Sequence, residues 1–257
     1  MTLPESDKHY VSIVICHYSK VDDFDGLRAL HQIETRSQML HRTMESLEKN
    51  TDFPAEVIVI DNGGNPDDSD YLLGLVRRGI INTYVRNKEN MYFGVAWNQG
   101  GRLSTGDYIC FTCNDIEFLP NWLSTTIKPL LDHPEQKLIA TPLITPDKLP
   151  PKYMRGLLDG YRLNSLAGSN CMLMARETWR NFGELNTNRV ASYMWYKAKI
   201  VKDRWLIVAP PQDMAIHIAH KGGVNINAPI QVIKTLLNGE VVDYTTTTWS
   251  EKRPTKI

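Results

Sequence analysis

Residues 109–123 read ICFTCNDIEFLPNWL. Asn114, Asp115 and Glu117 follow directly on an apolar run, just before Pro120. A carboxylate at the exit of a buried strand can bind a hard divalent cation through oxygen, and the cation can neutralise a diphosphate. Asp115 is the sharpest candidate for that role. Its competing role is a cap or turn residue ahead of a helix starting near 121, and Glu117 suits capping or solvation better. A second polar cluster, Asp61-Asn62-Gly63-Gly64, ends the apolar run AEVIVI. It suits hydrogen bonds to a nucleobase edge, or equally a plain Asx turn. A third, Cys16-His17-Tyr18, ends VSIVI. Tyr18 could stack on a base or pack at a sheet edge. The segment QDMAIHIAHKGG (212–223) holds His217 and His220. Three apart in an extended segment, they face opposite sides, so at most one joins a given site.

These clusters need a scaffold that gathers strand ends. VSIVICHY (11–18), AEVIVIDNGG (55–64), INTYVRN (81–87) and DYICFTCND (107–115) read as strands. SQMLHRTMESLEKN (37–50), DSDYLLGLVRRG (68–79), YFGVAWNQGGRLS (92–104) and NWLSTTIKPLLDH (121–133) read as helices, the third despite its glycines. The alternation implies βαβ units and an α/β fold with a mostly parallel central sheet flanked by helices. Ligands of such sheets lie at the carboxyl ends of the strands, so the three clusters are expected on one rim. In the second half, 137–145, 169–176 and 203–210 read as strands, with helices between the later ones. Residues 146–166, with Pro146, Pro150 and Pro151, read as a loop. Residues 19–36 read as a charged insertion after the first strand. We expect one domain: about 10–135 for the nucleotide, about 136–230 for a second substrate, and a tail over 231–257.

Lysine plus arginine equals aspartate plus glutamate at 29 each, so no global field draws the chain to nucleic acid. No apolar run approaches the roughly 20 residues of a membrane span, and MTLPESDKHY has no signal-peptide h-region. A cytoplasmic protein is expected, and peripheral contact with the inner face of a membrane is compatible with this. Cys110 and Cys113 have C-x-x-C spacing, but in a strand that sends them to opposite faces. Reduced core cysteines are the expected reading. NKENMYFGVAWNQG (87–100) is not a G-x-G-x-x-G or P-loop pattern, so neither a dinucleotide fold nor an NTPase is supported.

VSIVICHYS, VIDNGG, NKENMYFGVAWNQG and GDYICFTCNDIEFLPNWL, in this order, resemble family 2-like glycosyltransferases of the GT-A fold, closest the rhamnosyltransferase-like branch. The matching family patterns are VSIVIPTYN, VVDNGS, NxxNxGFAxGxNxG and GDYxLxLNxDVEL-PxWL. AGSNCMLMARETWRNFGEL and VAPPQDMAIHIAHKGG resemble the family's later blocks. The resemblance implies a Rossmann-like nucleotide-diphospho-sugar transferase. Cys16, His17 and Tyr18, with Asp61 and Asn62, would hold the uracil or thymine of the donor. Asn90, Asn98 and Asn114 would line the nucleotide. Asp115 matches the last acid of the family's D-x-D and would bind Mn2+ or Mg2+, and His217 would be a further metal ligand, with His220 the competing assignment. Cys113 stands where that motif begins with an acid. The family's acidic pair before the histidine falls here on Ser192-Tyr193, where there is no acid. Asp159, Glu184 and Asp213 are the remaining candidates for a base. Trp195, Tyr193 and Tyr161 are sugar-stacking candidates. The implied partners are a nucleotide-sugar donor and a carbohydrate or other hydroxyl acceptor. A binding protein that has lost the base is one alternative. A sugar nucleotidyltransferase is another, although the acidic SKVDDFDG lacks the basic glycine-rich loop such an enzyme uses.

Overall fold

A computed structural model describes residues 9–19, 34–145, 154–164, 170–185, 200 and 202–218. The elements run β1 (Val11–His17), α1 (Arg36–Asn50), β2 (Ala55–Asp61), α2 (Pro66–Arg77), β3 (Thr83–Arg86), α3 (Tyr92–Leu103), β4 (Tyr108–Cys113), β5 (Ile116–Phe118) and α4 (Trp122–Asp132). They continue with β6 (Leu138–Ala140), β7 (Leu143–Thr145), β8 (Met154–Leu158), β9 (Tyr161–Asn164), β10 (Cys171–Ala175), α5 (Arg176–Phe182), β11 (Leu206–Ala209) and β12 (Asp213–His217).

Nine strands form one sheet in the order β3-β2-β1-β4-β10-β6-β11-β9-β8. The first four are parallel, as the βαβ reading requires. β10 and β9 run against their neighbours. The odd residues Val11, Ile13 and Ile15 of β1 join a core with Leu40 and Met44 of α1, Leu72 of α2 and Trp122 of α4. Val14 and, on β4, Ile109 and Phe111 face the other core, with Trp97 of α3 and Trp179 of α5. A strand buried on both faces is mostly apolar, which is why β1 reads as a nearly continuous hydrophobic run broken only by Ser12 before its polar end. Cys110 and Cys113 separate between the two cores, as their spacing requires.

The glycines of α3 have a packing role. A Cβ on Gly100 would stand 2.2 Å from Val14 Cγ1, and one on Gly101 would stand 2.5 Å from the Trp179 ring. The helix lies so close to the sheet that no larger residue fits there.

Three expectations change. The run 137–145 is two strands, not one: Pro142, which has no N–H, parts β6 from β7. β7 leaves the main sheet for a second one, ordered β5-β12-β7. Within 146–166, residues 154–164 form the β8–β9 hairpin rather than a loop, turning at Asp159-Gly160 with both residues at positive φ. Ser192-Tyr193, Trp195, His220 and the tail from 231 lie outside the described residues. Among the described residues no helix is long and apolar enough to cross a membrane.

Candidate active site

The carboxyl ends of β1, β2 and β4 open into one cleft of about 310 Å³. Cys16 and Tyr18 line it from β1, Asn62 from β2, and Cys113, Asn114 and Asp115 from β4. Parallel register makes this meeting inevitable, since Cys16 pairs with Ile60 on one side and Cys113 on the other. The opposite wall comes from the starts of two helices: Arg36 and Met39 of α1, then Asn90, Tyr92 and Phe93 around the start of α3.

Asp115 is brought to its partner by the second sheet. β5 pairs antiparallel with β12, placing Ile116 opposite His217. The Ile218 N–H donates to the Asp115 carbonyl at 2.8 Å. His217 Nε2 then lies 3.1 Å from Asp115 Oδ2, while Nδ1 lies 3.2 Å from the Asn170 amide nitrogen. With the proton on Nε2 the imidazole donates to the carboxylate; with the proton on Nδ1, facing an Asn170 amide turned to present its oxygen, Nε2 has a lone pair for a cation. Asp115 Oδ1 is buried and accepts no hydrogen bond among the described residues. A buried carboxylate oxygen without a donor is costly unless a cation or ligand supplies the missing contact. The oxygen of Asp115 and the imidazole of His217 are a suitable donor pair for Mn2+ or Mg2+, with diphosphate and water completing the shell. Among the described residues no third His, Cys, Asp or Glu joins them. The two cleft thiols stay protonated. Burial, aided by the Asp61 charge, pushes Cys16 up to about 12, and burial, aided by Asp115, raises Cys113 well above its usual value.

Several candidates stand below the cleft instead of in it. Asp61 is fully buried. Its Oδ1 accepts from the Gly64 N–H at 2.8 Å, and its Oδ2 from Ser69 Oγ at 2.6 Å and the Tyr84 hydroxyl at 2.7 Å. It holds the turn after β2 and does not line the cleft. Asn62 lines the cleft but also pins the α3 entrance: its Oδ1 accepts from the Met91 N–H, and its amide donates to Asn90 Oδ1. His17 is fully buried, with Nδ1 2.9 Å from the Asn114 amide and Nε2 3.1 Å from Ser19 Oγ and 3.4 Å from Asp68. It supports Asn114 from beneath. Asn98 is buried on α3, where its side chain exchanges two hydrogen bonds with the Leu185 backbone at 2.9 and 2.8 Å. That clamp fixes the chain after α5, and Asn98 does not line the cleft.

None of the three candidate bases lines the cleft. Asp159 sits at the tip of the β8–β9 hairpin, 2.8 Å from His133 Nε2. Glu184 forms a two-point ion pair with Arg102 at the far end of α3, roughly 14 Å along the helix from the cleft. Asp213 begins β12, about 13 Å along the strand from His217. Tyr161, the sugar-stacking candidate, donates to the Thr125 carbonyl and packs on the core. Glu117 forms a part-buried ion pair with Arg42 and does not line the cleft.

The sequence reading missed Arg36, Met39, Tyr92 and Phe93. Arg36 could have been found, because Thr35 and Gln38 form a capping box that fixes the start of α1. Its guanidinium lies 6.0 Å from the centre of the Tyr18 ring, a cation–π contact at the cleft mouth. Tyr92 has φ +64°, a conformation that costs a non-glycine residue roughly 1–2 kcal/mol.

The network under the floor has a pH signature. Burial pushes the Asp68 carboxyl up, but hydrogen bonds from His17, Ser19 and Ser37 outweigh this and hold it below the usual value. A depressed folded-state pKa contributes stability above the ordinary carboxylate value near 4, and the contribution is lost as pH falls through the folded value. Melting curves from pH 7 down to pH 2 should therefore show Asp68→Asn less stable than wild type at neutral pH, with the gap closing in acid. A gap constant with pH would contradict the linkage.

The sequence model of glycosyl transferase family 2 matches residues 34–205. The chain belongs to that family. This family 2 chain has the fold of GalNAc-T7, solved with UDP, GalNAc and Mn2+ (TM-score 0.62, 16% identity, 86% of this chain and 45% of that one). It is similar to the Pyrobaculum calidifontis mannosyltransferase PcManGT, solved with GDP-Man and Mn2+ (TM-score 0.61, 16% identity, 85% and 59%). It is also similar to S. aureus TarS 1-349 (TM-score 0.60, 13% identity, 91% and 66%). The chain thus spans about half to two thirds of these structures, and the likeness establishes the GT-A fold. The family match speaks for family 2 and not for the rhamnosyltransferase-like branch within it. No curated protein is significantly similar to this chain.

Proposed function

We propose that this chain transfers a sugar from a UDP- or dTDP-linked donor to an acceptor hydroxyl, with inversion and with a divalent cation at Asp115 and His217. The observation that carries this is the Asp115–His217 pair at the strand ends, with one buried carboxylate oxygen left without a donor. The cation, when bound, offsets charge on the leaving diphosphate. Tyr18 and Arg36 grip the donor at the cleft mouth, and Asn62, Asn90 and Asn114 supply amide contacts along it. The acceptor hydroxyl attacks the anomeric carbon on the face opposite the diphosphate, and its proton passes to a base. Residues 136–230 shape the acceptor side. The family membership and the Mn2+ and nucleotides of the structural neighbours support this reading.

A binding protein without transfer activity is the second reading. It is favoured by Asp159, Glu184 and Asp213 all standing outside the cleft. A screen of nucleotide-sugars by thermal shift, followed by donor hydrolysis without acceptor, separates the two. Slow release of UDP or dTDP supports the transferase, and tight binding with zero turnover supports the second reading. Failure of every nucleotide-sugar to bind would defeat both.

A further inference from the structure

Two backbone N–H groups decide how the amides on the β2 side of the cleft are turned. The Tyr92 N–H donates to Asn90 Oδ1 at 2.8 Å, and the Met91 N–H donates to Asn62 Oδ1 at 3.0 Å. The oxygen and nitrogen of a side-chain amide are ordinarily told apart only by their partners. A backbone N–H can meet only an acceptor, so both oxygens are settled. Asn87 supports the same orientation. Its amide donates to Asn62 Oδ1 at 3.0 Å and is itself held by Gln99, at 2.9 Å in each direction. Asn62 Nδ2 then donates to Asn90 Oδ1 at 2.9 Å.

Both amide oxygens are thereby occupied, each accepting two hydrogen bonds. The nitrogens are not. Asn62 Nδ2 has one N–H left after Asn90, and among the described residues Asn90 Nδ2 has no hydrogen-bond partner. Both residues line the cleft. The carboxylate of β2 adds no acceptor there, because both oxygens of Asp61 are engaged beneath the cleft. The amides at this end of the cleft therefore offer N–H donors and no acceptor. β2 and β4 flank β1, so Asn62 stands two strand spacings, about 10 Å, from Asp115 across the sheet. With the diphosphate at Asp115, the base falls at Asn62 and Asn90. Uracil and thymine present a carbonyl oxygen where cytosine has an amine. The oxygen can accept from the amides, whereas an amine sets donor against donor. Asn62 is only 1% exposed, so an N–H left unmatched there is costly.

We propose that Asn90, held in place by Asn62, is a specificity-determining residue whose amide N–H groups read a carbonyl oxygen of the base, so that the cleft takes uracil or thymine nucleotides and rejects cytosine ones. This rests on the nucleotide-sugar reading of the cleft. Calorimetry with Mn2+, comparing UDP with CDP and dTDP with dCDP, tests it on wild type, Asn90→Asp and Asn90→Ser. In whichever pair binds, wild type should prefer the carbonyl-bearing base by at least about tenfold. Asn90→Asp keeps an oxygen for the Tyr92 N–H and puts a second oxygen where the amide nitrogen stood, so the preference should vanish or reverse. Its added charge weakens every nucleotide alike, so the ratio is the quantity read. Asn90→Ser keeps a hydroxyl oxygen for the Tyr92 N–H and loses the amide donors. Its ratio should fall to about threefold or less, and its melting curve guards against a folding defect in the aspartate variant. Wild type binding the cytosine nucleotide as tightly as its partner overturns the inference alone, as does an unchanged ratio in both variants. Wild type binding none of the four overturns the donor reading and this inference with it.

Discussion

Asp115→Asn is expected to lower donor turnover by about 10²–10³-fold, the usual cost of losing one electrostatic contact to a reacting group. The substitution keeps the side chain's size and an oxygen that can accept from His217 Nε2. It removes the one carboxylate among the described residues that line the cleft. Among the described residues nothing nearby replaces it. Cys113, two residues earlier, and Cys16 beside it are held as neutral thiols by burial. Thermal stability should change little, because the variant leaves no new buried charge. UDP affinity should become independent of Mn2+ in the variant while depending on it in wild type. Parallel donor-hydrolysis and calorimetric measurements check both statements. Undiminished turnover in Asp115→Asn would show that the carboxylate has no part in the chemistry.

The second large effect is on stability and is expected far from the cleft. Gly100→Ala puts a Cβ 2.2 Å from Val14 Cγ1, well inside contact distance. Val14 is β-branched and sits in β1, with parallel neighbours on both sides, so it cannot swing away. Either α3 lifts from the sheet or Val14 leaves its rotamer. Overpacking of this kind costs about 1–3 kcal/mol. In a chain of this size that is roughly 2–4 °C of melting temperature per kcal/mol. α3 also carries Tyr92 and the wall of the cleft, so nucleotide affinity should fall together with stability. Val14→Ala removes the clashing atom. The double variant should therefore be destabilised by less than the sum of the two single changes, a non-zero coupling in a double-mutant cycle. Strict additivity of the two changes would contradict the packing argument.

Much of this was legible in the residues. β1, β2 and β4 are mostly apolar because both faces of the sheet are covered, and such runs announce themselves. Their polar endings had to share a rim once the strands were parallel. What sequence could not separate was a residue in the cleft from one directly beneath it. Cys16 and His17 are adjacent, yet alternation sends one to the cleft and the other into the Ser19–Asp68 network. Asp61 and Asn62 divide in the same way. Asn98 lies in the matching motif but faces Leu185, which a helical projection alone does not reveal. The β8–β9 hairpin was hidden by the prolines before it, although Asp159-Gly160 is a strong two-residue turn signal. The second sheet had no local signal. β5 and β7 have three residues each and form only because β12 lies between them. Yet that sheet is what brings His217 to Asp115.

The central claim is that Asp115 and His217 together hold a divalent cation against the diphosphate of a nucleotide. The measurement closest to it is electron paramagnetic resonance of Mn2+ titrated with the protein and UDP, which counts free ions directly. One Mn2+ should bind per chain in the presence of UDP, and both Asp115→Asn and His217→Ala should release it. No bound Mn2+ in wild type, or full binding in both variants, would contradict the account.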